Sequence, residues 1–217
     1  MSPKLPEVNL AQLVGAGPVH LLEPYAVDGN VTVTELVVLA SIARMYRPET
    51  IFEIGTFDGR TTLNLAANAP DARVHTLDLP AGEITGLAVK PGDDKYINKQ
   101  VSGARFGGTE YESRIVQHYG DSATFDFSPF EGTIDLVFVD GAHSYDYVRN
   151  DSQIALKLLR RGRGVVLWHD YGTREVTEAI DDLWEREARF AGIRRVEQTA
   201  LAILDTSARG LRGTLQS

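Results

Sequence analysis

The sequence predicts an α/β protein in three layers, a mostly parallel sheet with helices on both faces. Three observations predict it. Short apolar, β-branched runs alternate with helical stretches along the chain. Those runs are nearly continuous in apolar residues, as strands covered on both faces are. The length of 217 residues fits one domain whose core needs no covalent staples.

Residues 1–31 hold Pro3, Pro6, Pro18 and Pro24 among scattered apolar residues, which predicts an irregular or partly helical arm packed on the domain or on a second subunit, hence a possible homodimer. The domain proper runs over 32–217. Thr32 with Glu35 three residues later forms a capping-box pattern, and Leu36, Leu39, Ala40 and Ala43 recur at helical spacing until Pro48. "TIFEIG" reads as a strand ending in glycine, and "TFDGRTTLNLAANAP" as the helix after it, stopped near Pro70. "RVHTLDLP" is the next strand. Residues 81–108 are polar, glycine-rich and too long for an ordinary connection, which predicts a lid or specificity insertion. Strands follow in "SRIVQHYGDS", "TIDLVFVDG" and "GVVLWHD", and helices in "SYDYVRNDSQIALKLLRRG" and "TREVTEAIDDLWEREARF". "IRRVEQT" and "LAILDT" are late strands, with an antiparallel pair expected at the end of the sheet.

Composition narrows the chemistry. With no cysteine, disulfides, thiolate zinc sites and cysteine nucleophiles are excluded, and any metal must use oxygen or imidazole ligands. Thirty acidic against 22 basic residues give a net charge of −8, which argues against a nucleic-acid partner. The dense basic run "RRGRG" at 160–164 follows a helical pattern and reads as a solvated C-terminal cap. The first residues lack a secretory pattern and no window approaches the roughly 18 to 20 apolar residues that span a bilayer, so a cytoplasmic protein without membrane contact is expected.

In parallel sheets of this kind, ligands sit beyond the carboxyl ends of the strands, which here are "EIG", "LDL", "GDS", "VDG" and "WHD". "EIGTFDG", Glu53 to Gly59, is neither a dinucleotide G-x-G-x-x-G nor a phosphate loop, so a nicotinamide oxidoreductase is the weaker alternative. Its glycines let backbone approach a ligand, and Asp58 beside the helix start would repel a pyrophosphate but hold an ammonium group. Asp78 at the next strand end suits the hydroxyls of a ribose.

With these segments in this order, residues 50 to about 205 resemble the class I S-adenosylmethionine-dependent methyltransferases, and "DLVFVDGAHSYDYVRND" with "GVVLWHDY" resembles their small-molecule O-methyltransferase branch related to macrolide-sugar (macrocin-type) enzymes. The resemblance implies a Rossmann-like, seven-stranded sheet of order 3-2-1-4-5-7-6. It implies Glu53, Gly55, Thr56 and Gly59 around the methionine part of S-adenosylmethionine, Asp78 at its ribose, and Asp121 with Ser122 at its adenine. Asp140 would lie nearest the methyl group. Leu79 and Pro80 depart from the polar neighbour that some relatives carry, and 81–108 matches no pattern of the family.

Asp140, His143, His169 and Asp170 come from two strand ends expected side by side. In one reading, Asp140, His169 and Asp170 hold a divalent ion, Mg2+ foremost, that orients an acceptor hydroxyl. In the other, His143 or His169 is a general base beside Asp140. Either serves transfer of a methyl group to an oxygen of a small polar acceptor such as a sugar or glycosylated metabolite, and a non-catalytic accessory protein is the alternative. His75 and His118 read as structural, and Tyr145, Tyr147, Trp168 and Tyr171 as packing. Asp151 reads as a cap or a partner of Arg149 or Arg160 on a solvated face, and Arg105 and Phe106 as candidate acceptor contacts.

Overall fold

The computed structural model describes residues 4–83, 85–97 and 101–207. Its centre is one sheet of eight strands: β1 (Glu7–Val8), β2 (Thr50–Ile54), β3 (Arg73–Asp78), β4 (Ile115–Tyr119), β5 (Leu136–Val139), β6 (Val165–Trp168), β7 (Arg194–Val196) and β8 (Ala202–Asp205). The order across the sheet is β1-β7-β8-β6-β5-β2-β3-β4, with only the pairings of β8 antiparallel. Without β1, and numbered from β2, this is the expected 3-2-1-4-5-7-6. The eighth strand corrects the expected seven: the arm adds a two-residue parallel strand along β7, closed by Arg195 N–H donating to Pro6 O at 2.9 Å.

The apolar runs form strands because both faces of each are covered. Phe52, Ile54, Val137, Val139, Val166 and Trp168 face the core under α5 (Tyr145–Leu158) and α6 (Arg174–Arg186). Their neighbours Ile51, Leu136, Phe138, Val165 and Leu167 face the opposite core, under α2 (Val33–Tyr46) and α3 (Arg60–Asn68). Each such side chain, fully buried, contributes about 1.5–3 kcal/mol. A short α1 (Leu10–Val14) packs on α2, and α4 (Asp94–Ile97) lies inside the long loop.

The arm is held by a polar stripe on α3. Arg60, Asn64 and Asn68, spaced four apart and buried, face one line of the arm. Asn68 accepts from His20 N at 2.9 Å and donates to His20 O at 2.7 Å; Asn64 does the same with Leu22 at 2.8 and 2.9 Å. Arg60 donates to the carbonyls of Glu23, Pro24 and Val31 at 2.6, 3.1 and 2.7 Å. Side chains thus supply a ladder for backbone that has no strand partner there. The ladder delivers Asp28, Gly29 and Asn30 to the rim of the sheet.

Other expectations resolve similarly. His75 and His118 are structural: their Nδ1 and Nε2 lie 3.0 Å apart amid Phe52, Phe125 and Phe130. Trp168 is core, its indole N–H donating to Ser152 Oγ at 2.8 Å. Tyr171 donates to Asp181 at 2.6 Å, and Tyr145 to Asp182 at 2.7 Å. The basic run is only partly solvated, since Arg160 Nε donates to Asp135 at 2.6 Å while Arg161 and Arg163 are exposed. Asp151 is not on a solvated face. It is 1% exposed, beside Asn150 and Ser122, and burial pushes its carboxyl up to about 7. Among the described residues no helix is long and apolar enough to cross a membrane.

Candidate active site

The sheet reverses its winding between β2 and β5, and a cavity of about 290 Å³ opens at their carboxyl ends. Ladder bonds running past the strands fix its floor: Gly55 N–H to Leu77 O at 2.8 Å, Asp140 N–H to Ile54 O at 2.8 Å, and His169 N–H to Val139 O at 3.0 Å. Gly55 must be glycine. Its φ is +101°, and a Cβ there would stand 1.9 Å from the backbone oxygen of Asp140. The first turn and the end of β5 therefore touch backbone to backbone.

Gly55, Asp78, Asp121, Ser122, Asp140, His143, His169 and Asp170 all line the cavity, as the sequence suggests. Glu53, Thr56, Asp58 and Gly59 do not, and each has another task. Glu53 is fully buried and accepts from the hydroxyls of Thr62 and Thr76, which ties β2 to α3 and β3. Burial outweighs those donors and raises its carboxyl to about 8, so it is protonated at neutral pH. Thr56 meets Thr76, hydroxyl to hydroxyl, at 2.7 Å, and Gly59 packs on Phe106 where α3 begins. Asp58 is not free for an ammonium group: Arg105 Nε donates to it at 2.8 Å and Asn30 at 3.1 Å. Arg105 and Phe106 accordingly brace the turn from outside, away from the cavity.

Asp121 accepts from Tyr147 Oη at 2.8 Å and from Gly86 N at 2.5 Å, while Asp78 accepts from Ser102 Oγ. Gly86 and Ser102 belong to the long loop, so the loop crosses both carboxylates. Asp28 completes the roof, accepting from Lys95 Nζ at 2.5 Å and Tyr96 Oη at 3.2 Å. Gly29, at φ +98°, is wedged where a Cβ would meet the Tyr96 ring at 2.8 Å.

At the other end stands a chain of alternating carboxylates and imidazoles. His143 Nδ1 lies 3.1 Å from Asp93 Oδ1, an ion-pair contact without hydrogen-bond alignment, and Nε2 lies 2.8 Å from Asp170 Oδ2. Asp170 Oδ2 also meets His169 Nδ1 at 3.0 Å, with Asp140 Oδ1 at 3.1 Å from the same nitrogen. His169 Nε2 reaches Glu35 Oε2 at 3.2 Å. Asp170 itself is held at φ +60°, a conformation few side chains adopt without constraint.

The electrostatics of the two histidines are set by the carboxylates around them. Burial disfavours charge on His143, yet Asp170 and Asp93 outweigh it and lift its pKa to about 10. Burial likewise opposes charge on His169, but Asp140, Asp170 and Glu35 raise it further. The carboxylates around them favour the imidazolium form of both. Glu35, despite burial, is pulled down to about 2 by His169, Ala200 N and Thr32. Burial raises Asp140, with His169 pulling the other way.

Glu35 and Asp93 are the residues sequence reasoning missed here. Glu35 is the capping-box residue of α2, as its spacing from Thr32 predicts, and nothing in that motif signals that the same carboxylate also serves His169. Asp93 is one acid in a polar loop. Ligand atoms of Asp140, His169 and Asp170 lie within 4.8 Å of one another, close enough to share a cation. One imidazole with two carboxylates suits a borderline divalent ion better than Mg2+, which favours oxygen alone.

Strand order and a cavity at the switch point define the Rossmann-like fold of class I methyltransferases. Residues 52–171 match the profile of the methyltransferase-domain family, and the chain belongs to that family. Solved structures carry the same fold. An O-methyltransferase of Streptomyces achromogenes involved in tomaymycin synthesis, in complex with S-adenosylmethionine, is 21% identical, with a TM-score of 0.59 over 83% of each chain. An O-methyltransferase from Bacillus cereus in complex with S-adenosylhomocysteine is 18% identical, with a TM-score of 0.58 over 82% of this chain and 83% of that one. A Podospora anserina methyltransferase bound to S-adenosylhomocysteine is 24% identical, with a TM-score of 0.50 over 71% of this chain, which spans 59% of that protein. No curated protein matches the sequence.

Proposed function

We propose that the chain transfers a methyl group from S-adenosylmethionine to a hydroxyl of a small, neutral, polar acceptor. The observation that carries this is the backbone contact of Gly55 with Asp140, which sets a carboxylate between the proposed cofactor residues and the imidazole chain in one cavity. Asp78 and Asp121 are where a ribose and an adenine would bind, and the glycine turn leaves room for the methionine end. The similarity to two O-methyltransferases supports oxygen as the acceptor atom.

In the transfer, a bond forms between the acceptor oxygen and the methyl carbon as the carbon–sulfur bond breaks, and the hydroxyl proton must leave. Asp140 is the proposed proton acceptor: burial makes it more basic than an ordinary carboxylate, and the imidazoliums cannot take another proton. His143 and His169 donate hydrogen bonds and orient Asp170 and Asp140. Should a divalent ion bind, His169 would first give up a proton, and Asp140, His169 and Asp170 would hold the ion, which would lower the pKa of the hydroxyl; the spacing of their ligand atoms supports this second reading.

The cavity also selects by charge. Six aspartates line it, and among the described residues no lysine or arginine does. Even with His143 and His169 charged, the wall stays net acidic, which favours neutral, hydroxyl-rich acceptors such as sugars and glycosides over anionic thioesters. The test is methyl transfer from isotopically labelled S-adenosylmethionine to a panel of neutral sugars and glycosides, with acyl-coenzyme A thioesters as the anionic arm, each with and without chelator. Transfer to neutral members only, reduced by at least about a hundredfold in D140N, is the expected result; preference for the thioesters contradicts the charge argument. Tight cofactor binding with no transfer to any member would favour the accessory-protein alternative.

A further inference from the structure

We propose that Asp93, in the long loop, is a positioning residue that couples docking of the loop to alignment of the polar groups beside the acceptor, a role that rests on the methyl-transfer reading. Asp93 is 7% exposed and grips His143 twice, Oδ1 at 3.1 Å from Nδ1 and Oδ2 accepting from the backbone N–H at 3.1 Å. It is also the N-terminal anchor of α4, its carbonyl accepting from Tyr96 and Ile97. One residue therefore fixes both the loop's short helix and an imidazole of the floor.

The chain from Asp93 through His143, Asp170 and His169 to Glu35 is pinned at both ends, by elements of different kinds. The Glu35 end is rigid: the carboxylate is 2% exposed, accepts from Thr32 N at 2.7 Å, Thr32 Oγ1 at 2.8 Å and Ala200 N at 2.7 Å, and belongs to a 14-residue helix. The Asp93 end depends on a loop of little regular structure. His169 keeps its orientation from Glu35 whatever the loop does. Among the described residues His143 has Asp170 on one nitrogen and only Asp93 on the other, so its ring plane, and through it the shared Oδ2 of Asp170, is set when the loop docks. The same loop segment carries Tyr96 and Ile97 into the cavity wall, so closing over an acceptor and ordering His143 are one event.

The experiment compares Asp93→Asn, Asp93→Glu and Ser102→Ala in the full chain with S-adenosylhomocysteine bound. It reads three quantities: affinity for that ligand by calorimetry, the imidazole ¹⁵N signature of His143, and amide exchange over 85–97. Asp93→Asn should change the His143 signature and speed exchange about tenfold, while affinity falls less than about threefold. Asp93→Glu, which keeps the carboxylate, should restore the signature in part. Ser102→Ala, which removes the contact to Asp78, should weaken the ligand and leave His143 unchanged. An unchanged His143 in Asp93→Asn overturns the positioning role. Wild-type protein that binds no S-adenosylhomocysteine would overturn the methyl-transfer reading instead, and with it the catalytic meaning of Asp93.

Discussion

The floor of the cavity is lined from the ends of β2, β3 and β5, whose last residues are placed by ladder hydrogen bonds; its roof is finished by Asp28 and Gly29 of the arm and Asp93 and Tyr96 of the loop. Backbone pairing places the first, and side chains place the second. Asp140 sits where it does because its own N–H bonds to Ile54 O, whatever its side chain is. Asp28 is held by a lysine and a tyrosine, either of which a single substitution removes, and Asp93 by the imidazole and the backbone N–H of His143. A cavity built this way keeps its floor while its roof is free to change.

Four substitutions probe that contrast. Asp140→Asn, which keeps the shape and removes the proposed proton acceptor, should lower turnover by roughly 10² to 10⁴ while S-adenosylhomocysteine affinity measured by calorimetry changes less than about threefold. Equal losses in both would place Asp140 at the cofactor instead. Gly55→Ala forces a Cβ onto the Asp140 carbonyl at an unfavourable φ and should cost about 1–3 kcal/mol, roughly 3–10 °C in thermal midpoint, and abolish calorimetric binding. Asn64→Ala strands the N–H and carbonyl of Leu22 and should cost about 1–3 kcal/mol, with ligand affinity nearly intact, because it loosens only the arm.

The fourth uses pH. The Glu53 carboxyl titrates at about 8 in the fold against 4.5 ordinarily, so between those values the folded state holds a proton that the unfolded chain has lost. Stability should therefore fall as pH rises from about 5 to about 8, with Asp151, raised to about 7, adding to the lower part of the window. Glu53→Gln should flatten the thermal midpoint over that range by roughly a few degrees, and an unchanged slope would mean Glu53 is ionised.

The sheet was legible because parallel strands buried on both faces must be apolar throughout, and their ends announce themselves where the apolar run meets a glycine or an acid, as at Gly55, Asp78 and Asp140. Side-chain roles were less legible. Glu53 and Asp58 look alike beside the same turn, yet one is buried by β3 and α3 and the other is claimed by Arg105, a residue 47 positions away. Asp151 lies at helical spacing that suits a surface pair, and only the packing of α5 against the turn after β5 buries it. The N-terminal arm carries no periodic pattern, since its backbone is satisfied by Asn64, Asn68 and Arg60 of another element, and its edge strand of two residues is too short to leave a signal.

The most direct test of the whole account is calorimetric titration of S-adenosylhomocysteine into the protein, with NAD as control and each run repeated in chelator. Micromolar binding of the homocysteine ligand alone is the predicted result. Binding of NAD, or of neither, would contradict the assignment of this cavity to a methyl donor.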